Sequence, residues 1–418
     1  MSYLQKLLEG VVVEWKALGE VGDLVRGNGL PKSDFTESGI PAIHYGQIYT
    51  YYKTFATETK SFVSIETAKK LRKVNHGDVV ITNTSENLED VGKALVYLGK
   101  EQAVTGGHAT IFKPSKYITG KYLAYYTQTE IFASQKRKYA KGTKVIDVSA
   151  TDMGKITIPI PCPDNPKKSL EIQNKVVRIL DTFTELTAEL TAELTAELTA
   201  RKKQYTFYRE QLFSFNNVEI EREPLGIIGE FQRGKRFVKD DMIAEGVPCI
   251  HYGEMYTYYG TWANKSKSFL SEELVESKNL RIAENGDVVI VAAGETIEDI
   301  GLGTAWLGNE GVVIHDACFS YRSPLNPKYV AYFTRTKQFH DQIKKHISSG
   351  KISAINARGL EKALIPIPSP EEQERIVTIL DKFDILTTSI SEGLPKEIEL
   401  RKKQYEYYRD LLLTFPMN

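Results

Sequence analysis

The chain is written twice. Arg201-Lys202-Lys203-Gln204-Tyr205 returns 200 positions later as Arg401-Lys402-Lys403-Gln404-Tyr405, and Ile43-His44-Tyr45-Gly46 returns 207 positions later as Ile250-His251-Tyr252-Gly253. A period near 200 residues is far beyond the roughly 20–50 of a solenoid. The duplication therefore predicts two copies of a domain-plus-helix unit, related by an internal two-fold axis. Such a molecule suits a partner that also has two halves, with DNA as the first candidate.

Length and charge narrow the class. The 418 residues allow two to four domains. With 54 basic and 54 acidic residues the chain is no polycation. That argues against nonspecific coating of nucleic acid while permitting local basic patches. Cys162, Cys249 and Cys318 form no C-x-x-C pair, which speaks against a disulfide framework or zinc module and for a reducing cytoplasm. Met1-Ser2-Tyr3-Leu4-Gln5-Lys6 does not read as a secretory leader, and no apolar run approaches the roughly 20 residues of a membrane span. A soluble, cytoplasmic protein is expected.

Each copy reads as an α/β (α+β) globular region followed by a long helix. Gly77-Asp78-Val79-Val80-Ile81 and Ile156-Thr157-Ile158-Pro159-Ile160-Pro161 predict strands ended by turn residues, as do Gly286-Asp287-Val288-Val289-Ile290 and Ile365-Pro366-Ile367-Pro368. Tyr122–Thr127 and Tyr329–Phe333 predict helices. From about Ser169 to Phe215 the apolar residues fall at helical spacing, and three Thr-Ala-Glu-Leu units run from Thr187 to Leu198. Forty-five residues at about 1.5 Å each give a rod of roughly 70 Å. A second helix starts at Glu371 and is expected to break at Gly393-Leu394-Pro395, since proline removes an amide donor and clashes with the preceding turn. One apolar face does not stay solvated, so the two helices are expected to pair antiparallel as a coiled-coil-like rod; a homomeric coiled coil is the other solution.

Catalytic signatures fail one by one. Ser349-Gly350-Lys351-Ile352 lacks the upstream glycine and the hydroxyl of a phosphate loop, and Gly301-Leu302-Gly303-Thr304-Ala305-Trp306 ends in tryptophan where a dinucleotide fingerprint needs glycine. Neither G-x-S-x-G nor H-E-x-x-H occurs, and the seven histidines lack metal-ligand spacing. The chain is read as a non-catalytic protein that binds no metal and no cofactor of its own.

The candidate reading residues lie in the best-preserved segment. Pro41–Tyr52 and Pro248–Tyr259 are identical at nine of twelve positions. His44, Tyr45, Gln47, Tyr49 and Thr50, with His251, Tyr252, Glu254, Tyr256 and Thr257, crowd hydrogen-bonding groups around Gly46 and Gly253, where backbone can approach a ligand. Gln47 against Glu254 is the clear chemical difference: a carboxamide can pair with adenine, a carboxylate accepts from cytosine. The segment reads equally as an edge strand with cross-strand tyrosine pairs. A second candidate is the basic run Lys136, Arg137, Lys138, Lys141 and Lys144, matched by Lys344, Lys345 and Lys351. Such a run also reads as a solvated face, but its recurrence in both copies of a neutral protein favours phosphate contacts. Ser85, in Ser85-Glu86 matched by Gly294-Glu295, is weaker. His108 and His315 read as core residues or as contacts.

This layout resembles the specificity subunit of type I restriction–modification systems. The resemblance is carried by the paired Ile-Pro-Ile-Pro exits (158–161, 365–368), by Arg-Ile-Leu-Asp-Thr-Phe (178–183) with Thr-Ile-Leu-Asp-Lys-Phe (378–383), and by the paired Arg-Lys-Lys-Gln-Tyr segments. The Thr-Ala-Glu-Leu array points to the IC-like subclass. It covers the whole chain and is strongest in the helices.

The resemblance implies target recognition domains at 1–161 (residues 1–10 grouped with the helices) and 218–368, with conserved helices at 162–217 and 369–418. Each domain would read half of a bipartite site in double-stranded DNA. The helices would set the spacer and dock two methyltransferase subunits, which carry S-adenosylmethionine for adenine methylation; a motor–nuclease subunit would join for restriction. Because the two domains are plainly similar, the half-sites are expected to form a near inverted repeat, with a difference traceable to Gln47 and Glu254. A coiled-coil scaffold without a DNA role and a DNA-binding regulator without a methyltransferase remain the other classes.

Overall fold

A computed structural model describes residues 10–215, 219–389 and 392–415. Of residues 1–10, grouped above with the helices, all but Gly10 lie outside the described residues. The chain divides into two compact units, Met1–Glu193 with Ile398–Asn418, and Leu194–Glu397. This division differs from the segmentation into domains and separate helices. It cuts within the continuous helix Pro166–Ser214, because each half of that helix packs on its own globular part.

In the first unit a five-stranded sheet is ordered Gly22–Arg26, Ala109–Pro114, Val79–Thr82, Ala94–Tyr97, Phe55–Ala56; the second repeats it as Glu230–Arg233, Cys318–Arg322, Val288–Val291, Gly303–Trp306, Trp262–Ala263. A second sheet accompanies each, five-stranded around Ile40–Ile43 in the first unit and four-stranded with Val247–Ile250 as an inner strand in the second. The central strands are apolar without alternation because both faces are covered. Val79 and Ile81 pack toward Tyr122, Phe132 and the long helix at Val176 and Leu180, while Val80 packs toward Ile43, Ile48 and Leu95. Val288 and Ile290 against Val289 repeat that split. Gly77 (φ 89°) and Gly286 (φ 92°) supply the left-handed turn before each central strand.

One polar latch recurs where each globular part meets its helix. Asp181 takes Lys121 Nζ and Tyr125 Oη, both at 2.7 Å. Asp381 takes Lys328 Nζ and Tyr332 Oη, again both at 2.7 Å. Each lysine also lies over an aromatic ring, Phe55 at 4.1 Å and Trp262 at 4.2 Å.

Within the first unit, Phe183 faces Tyr408 and Thr184 hydrogen-bonds Tyr405, an antiparallel progression; within the second, Phe383 packs on Tyr205 and Tyr208. The second long helix is indeed divided, into Pro370–Thr388 and Gly393–Leu413. The break precedes the Gly-Leu-Pro triplet instead of sitting in it. Pro395 occupies the first turn of the new helix, where its missing amide costs nothing. Gly393 (φ 77°) is required because a Cβ there would lie 2.5 Å from the Ile385 carbonyl oxygen.

Candidate nucleic-acid interface

The Pro41–Tyr52 segment is not an edge strand carrying tyrosine pairs. Strand Ile40–Ile43 turns into helix Tyr45–Thr50, and Val247–Ile250 into Tyr252–Thr257. A histidine caps each helix: His44 Nδ1 accepts from Gly46 N and His251 Nδ1 from Gly253 N, both at 3.2 Å. Each imidazole is thereby tied to the start of a helix beside its neighbouring tyrosine, with ring centroids 4.5 Å apart at His44–Tyr45 and 4.6 Å at His251–Tyr252.

Gln47 and Glu254 are committed inside the fold. Gln47 Oε1 accepts from His44 N and its Nε2 donates to Ser61 Oγ (2.6 Å). Glu254 Oε2 accepts from His251 N (3.1 Å) and its Oε1 accepts from Ser268 Oγ (2.6 Å). A serine hydroxyl both donates and accepts, so it absorbs the amide-for-carboxylate exchange. The expectation that this pair distinguishes two half-sites is corrected accordingly. Thr50 and Thr257 bond back to the Gly46 and Gly253 carbonyls, and Tyr256 Oη donates to Ala293 O. Tyr49 is half-buried beside Tyr45.

In the second unit a cleft of about 750 Å³ opens around His251 and Tyr252. Arg233, Arg236, Lys239 and Lys351 line it with Glu295 and Asp316, four cations against two anions. His315 forms its floor, with centroids 4.7 Å from His251 and 5.1 Å from Tyr252. Burial, His315 and Lys239 hold the His251 imidazole below the usual histidine range, and burial does the same at His315. Both rings are neutral at pH 7, so the cleft's positive charge comes from arginine and lysine. The first unit builds the same cluster: Tyr45 lies 4.9 Å from His108, and burial with Lys32 and His108 lowers the His44 pKa.

The two outer histidines are not equivalent by register. Ala109 pairs with Thr82 and Cys318 with Val291, which puts His315 where the first unit has Gly106, and His108 where the second has Ala317. Each unit brings an imidazole to the same tyrosine from a different position.

The basic run divides. Lys144 and Lys351 sit on exposed hairpins that reach this region through Ile146–Ser85 and Ser353–Gly294 pairing. Lys136 turns inward, its Nζ donating to the Leu88 and Val91 carbonyls, and is removed from the phosphate candidates. Lys141 pairs with Asp152, and Arg137 with Glu130. Lys138, Lys344 and Lys345 are exposed, and Lys344 and Lys345 do not line the second unit's cleft. Ser85 is buried. The sequence reading missed Arg26, Lys32, Arg233, Arg236 and Lys239. A signal existed: Arg-Gly and the lysine five residues beyond the glycine recur at the same 207-residue shift.

A family model described as the type I restriction modification DNA specificity domain matches residues 12–200 and again 217–400. The specificity subunit of the Escherichia coli type I restriction enzyme EcoR124I/EcoR124II is 35% identical over 100% of this chain and 98% of its own length. A putative type I specificity subunit of Haemophilus influenzae, S.HindORF215P, is 31% identical over 99% and 98%. Among solved structures, a chain from a study of complex assembly in the type I R-M system superposes with a TM-score of 0.69, at 15% identity over 97% of this chain and 98% of that one. The HsdS subunit of Thermoanaerobacter tengcongensis superposes at 0.53, 15% identical over 96% and 95%.

Proposed function

This chain belongs to the type I restriction–modification DNA specificity family, and we propose that each of its units reads one half of a bipartite site in double-stranded DNA. The observation that carries this is a cluster built twice, a helix-capping histidine, its neighbouring tyrosine and a second imidazole, which in the second unit lines a cleft among cations. Lys32 and Lys144, with Lys239 and Lys351, hold phosphates without reading sequence. His44, Tyr45, His251 and Tyr252 present ring edges and a hydroxyl to base edges. The chain recognises and does not catalyse. Methyl transfer to adenine belongs to two partner methyltransferase subunits that bind S-adenosylmethionine, and cleavage to a motor–nuclease partner.

Docking of two identical partners is supported by the repeated helix segments, where Lys202, Lys203 and Phe207, and likewise Lys402, Lys403 and Tyr407, are all exposed. The Thr-Ala-Glu-Leu units act as a ruler: one unit adds about 6 Å and turns the following chain by about 40°, close to two base pairs of rise. The similar histidine–tyrosine clusters favour half-sites that form a near inverted repeat.

Single-molecule sequencing of genomic DNA from cells making this chain with its neighbouring methyltransferase subunit tests the reading. A bipartite methyladenine motif should appear, with related halves, and vanish when this chain is deleted. No motif despite a soluble complex overturns the function, and unrelated halves overturn the inverted repeat alone.

A further inference from the structure

The register of the two units isolates one reading position. Arg26 pairs with Thr110 and Arg233 with Phe319 across equivalent strands, and the next glycines donate alike, Gly27 N to Ala109 O and Gly234 N to Cys318 O. Position 29 of the first unit therefore corresponds to 236 of the second. Around it the frame recurs. Arg26 Nε donates to Gly107 O (3.0 Å) and Arg233 Nε to Asp316 O (2.9 Å). Asn28 Nδ2 donates to Lys70 O and Lys235 Nζ to Lys278 O, so that pair also serves the fold. Lys32 and Lys239 recur, as do Lys144 and Lys351.

Among the basic positions of this segment, 29 and 236 are where the units part in charge without a bond to the fold. Gly29 carries no side chain; Arg236 is exposed and lines the cleft with His251, Tyr252 and His315. Among the hydrogen bonds and ion pairs of the described residues, none engages the Arg236 guanidinium, so its five donors are free for a ligand. Cations that hold phosphates carry no sequence information and can be alike in both clefts, as the two lysine pairs are. A cation that one unit carries and the other lacks at the matched position, beside cations that both units share, is the one suited to reading sequence.

We propose that Arg236 reads a guanine in the major groove of the second unit's half-site, and that Gly29 leaves the symmetric position of the first half-site unread. The inference rests on the DNA-reading function proposed above. The fork of an arginine matches guanine O6 and N7 bidentately. It transfers to Arg236 the role that the sequence assigned to Gln47 and Glu254.

The test uses the full chain with its methyltransferase partner and the methylome readout, comparing wild type with Arg236→Gly, Arg236→Lys and Gly29→Arg. Wild type should require guanine at one position of one half and accept other bases at the symmetric position. Arg236→Gly should make that position degenerate, losing roughly 5- to 150-fold discrimination. Arg236→Lys should fail to restore it, since a single ammonium cannot form the fork. A Cβ at Gly29 meets nothing within 4 Å, so Gly29→Arg should add a guanine preference in the other half. An unchanged motif in Arg236→Gly overturns the proposal. So does an even loss of methylation at all sites that Arg236→Lys restores, which marks a phosphate contact, and so do two changes falling in the same half. A wild-type chain that yields no motif overturns the parent function instead.

Discussion

Replacing Lys136 with Met should leave DNA affinity unchanged and alter how stability depends on pH. The side chain is 6% exposed, and its Nζ donates to Leu88 O at 2.7 Å and Val91 O at 2.5 Å. Burial, helped by Lys93, pushes its pKa down to about 8. The second unit has Ile343 at this place, packed over Gly301 as Lys136 is over Gly92. The unfolded lysine titrates near 10.4, so between about pH 8 and 10.4 the unfolded chain binds more protons and stability rises with pH. Below pH 8 the whole penalty is present, about 3 kcal/mol at 1.36 kcal/mol per unit. Integrating the linkage from pH 7.5 to 9.5 returns about 2 kcal/mol. The methionine variant lacks this titration. Urea unfolding at those two values should therefore show the wild-type-minus-variant free energy climbing by about 2 kcal/mol. A lysine on a phosphate would instead add about 0.9 to the salt slope of DNA binding. A pH-independent difference, or a variant that loses that slope, refutes the assignment.

Three further outcomes follow from the same geometry. Asp381→Asn should destabilise by about 1–3 kcal/mol in urea unfolding, because Lys328 loses its ion pair and Tyr332 a charged acceptor; Tyr332→Phe in that background should then cost less than it does alone. Burial lowers the Arg335 pKa and raises that of Asp384 in the second unit, and each charge partly offsets the other's penalty, where the first unit has neutral Gln128 and Thr184. Arg335→Gln should thus cost about 1–3 kcal/mol, and Asp384→Thr should recover most of it, read as coupling in a double-mutant cycle. The lowered His251 pKa means that the unfolded chain takes up protons first, so its contribution is nil well above about pH 6.5, turns unfavourable as pH falls from there toward the folded value, and is fully unfavourable below it. His251→Asn, which can still cap the helix, should flatten the drop in Tm between pH 7 and 5; an equal drop in both proteins counts against the buried imidazole.

What was legible in the sequence was whatever depends on neighbours along the chain or on identity between the copies. Strands at Val79 and Val288 show as β-branched runs behind a Gly-Asp turn, and the long helices as apolar residues at helical spacing. The site is half legible: His44-Tyr45 and His251-Tyr252 stand out by repetition, whereas Arg236 does not, because a lone arginine without a counterpart in the other copy has no local signal.

The sequence by itself determined the duplication, the α/β class, and the long helices and their break. Each follows from composition, periodicity or repeated residues, which need no partner from elsewhere in the chain; the family was legible as a resemblance in the paired helix motifs. Only the tertiary structure decided which side chains face the cleft. Lys136 looked like its basic neighbours until packing turned it onto two carbonyls, and Gln47 and Glu254 until Ser61 and Ser268 met them from the adjacent strand. His108 and His315 matched in sequence at the 207-residue shift, yet strand register places them two positions apart. A side chain's direction is set by pairing across strands that lie far apart in the chain, and a one- or two-residue difference in a connecting turn is enough to redirect it.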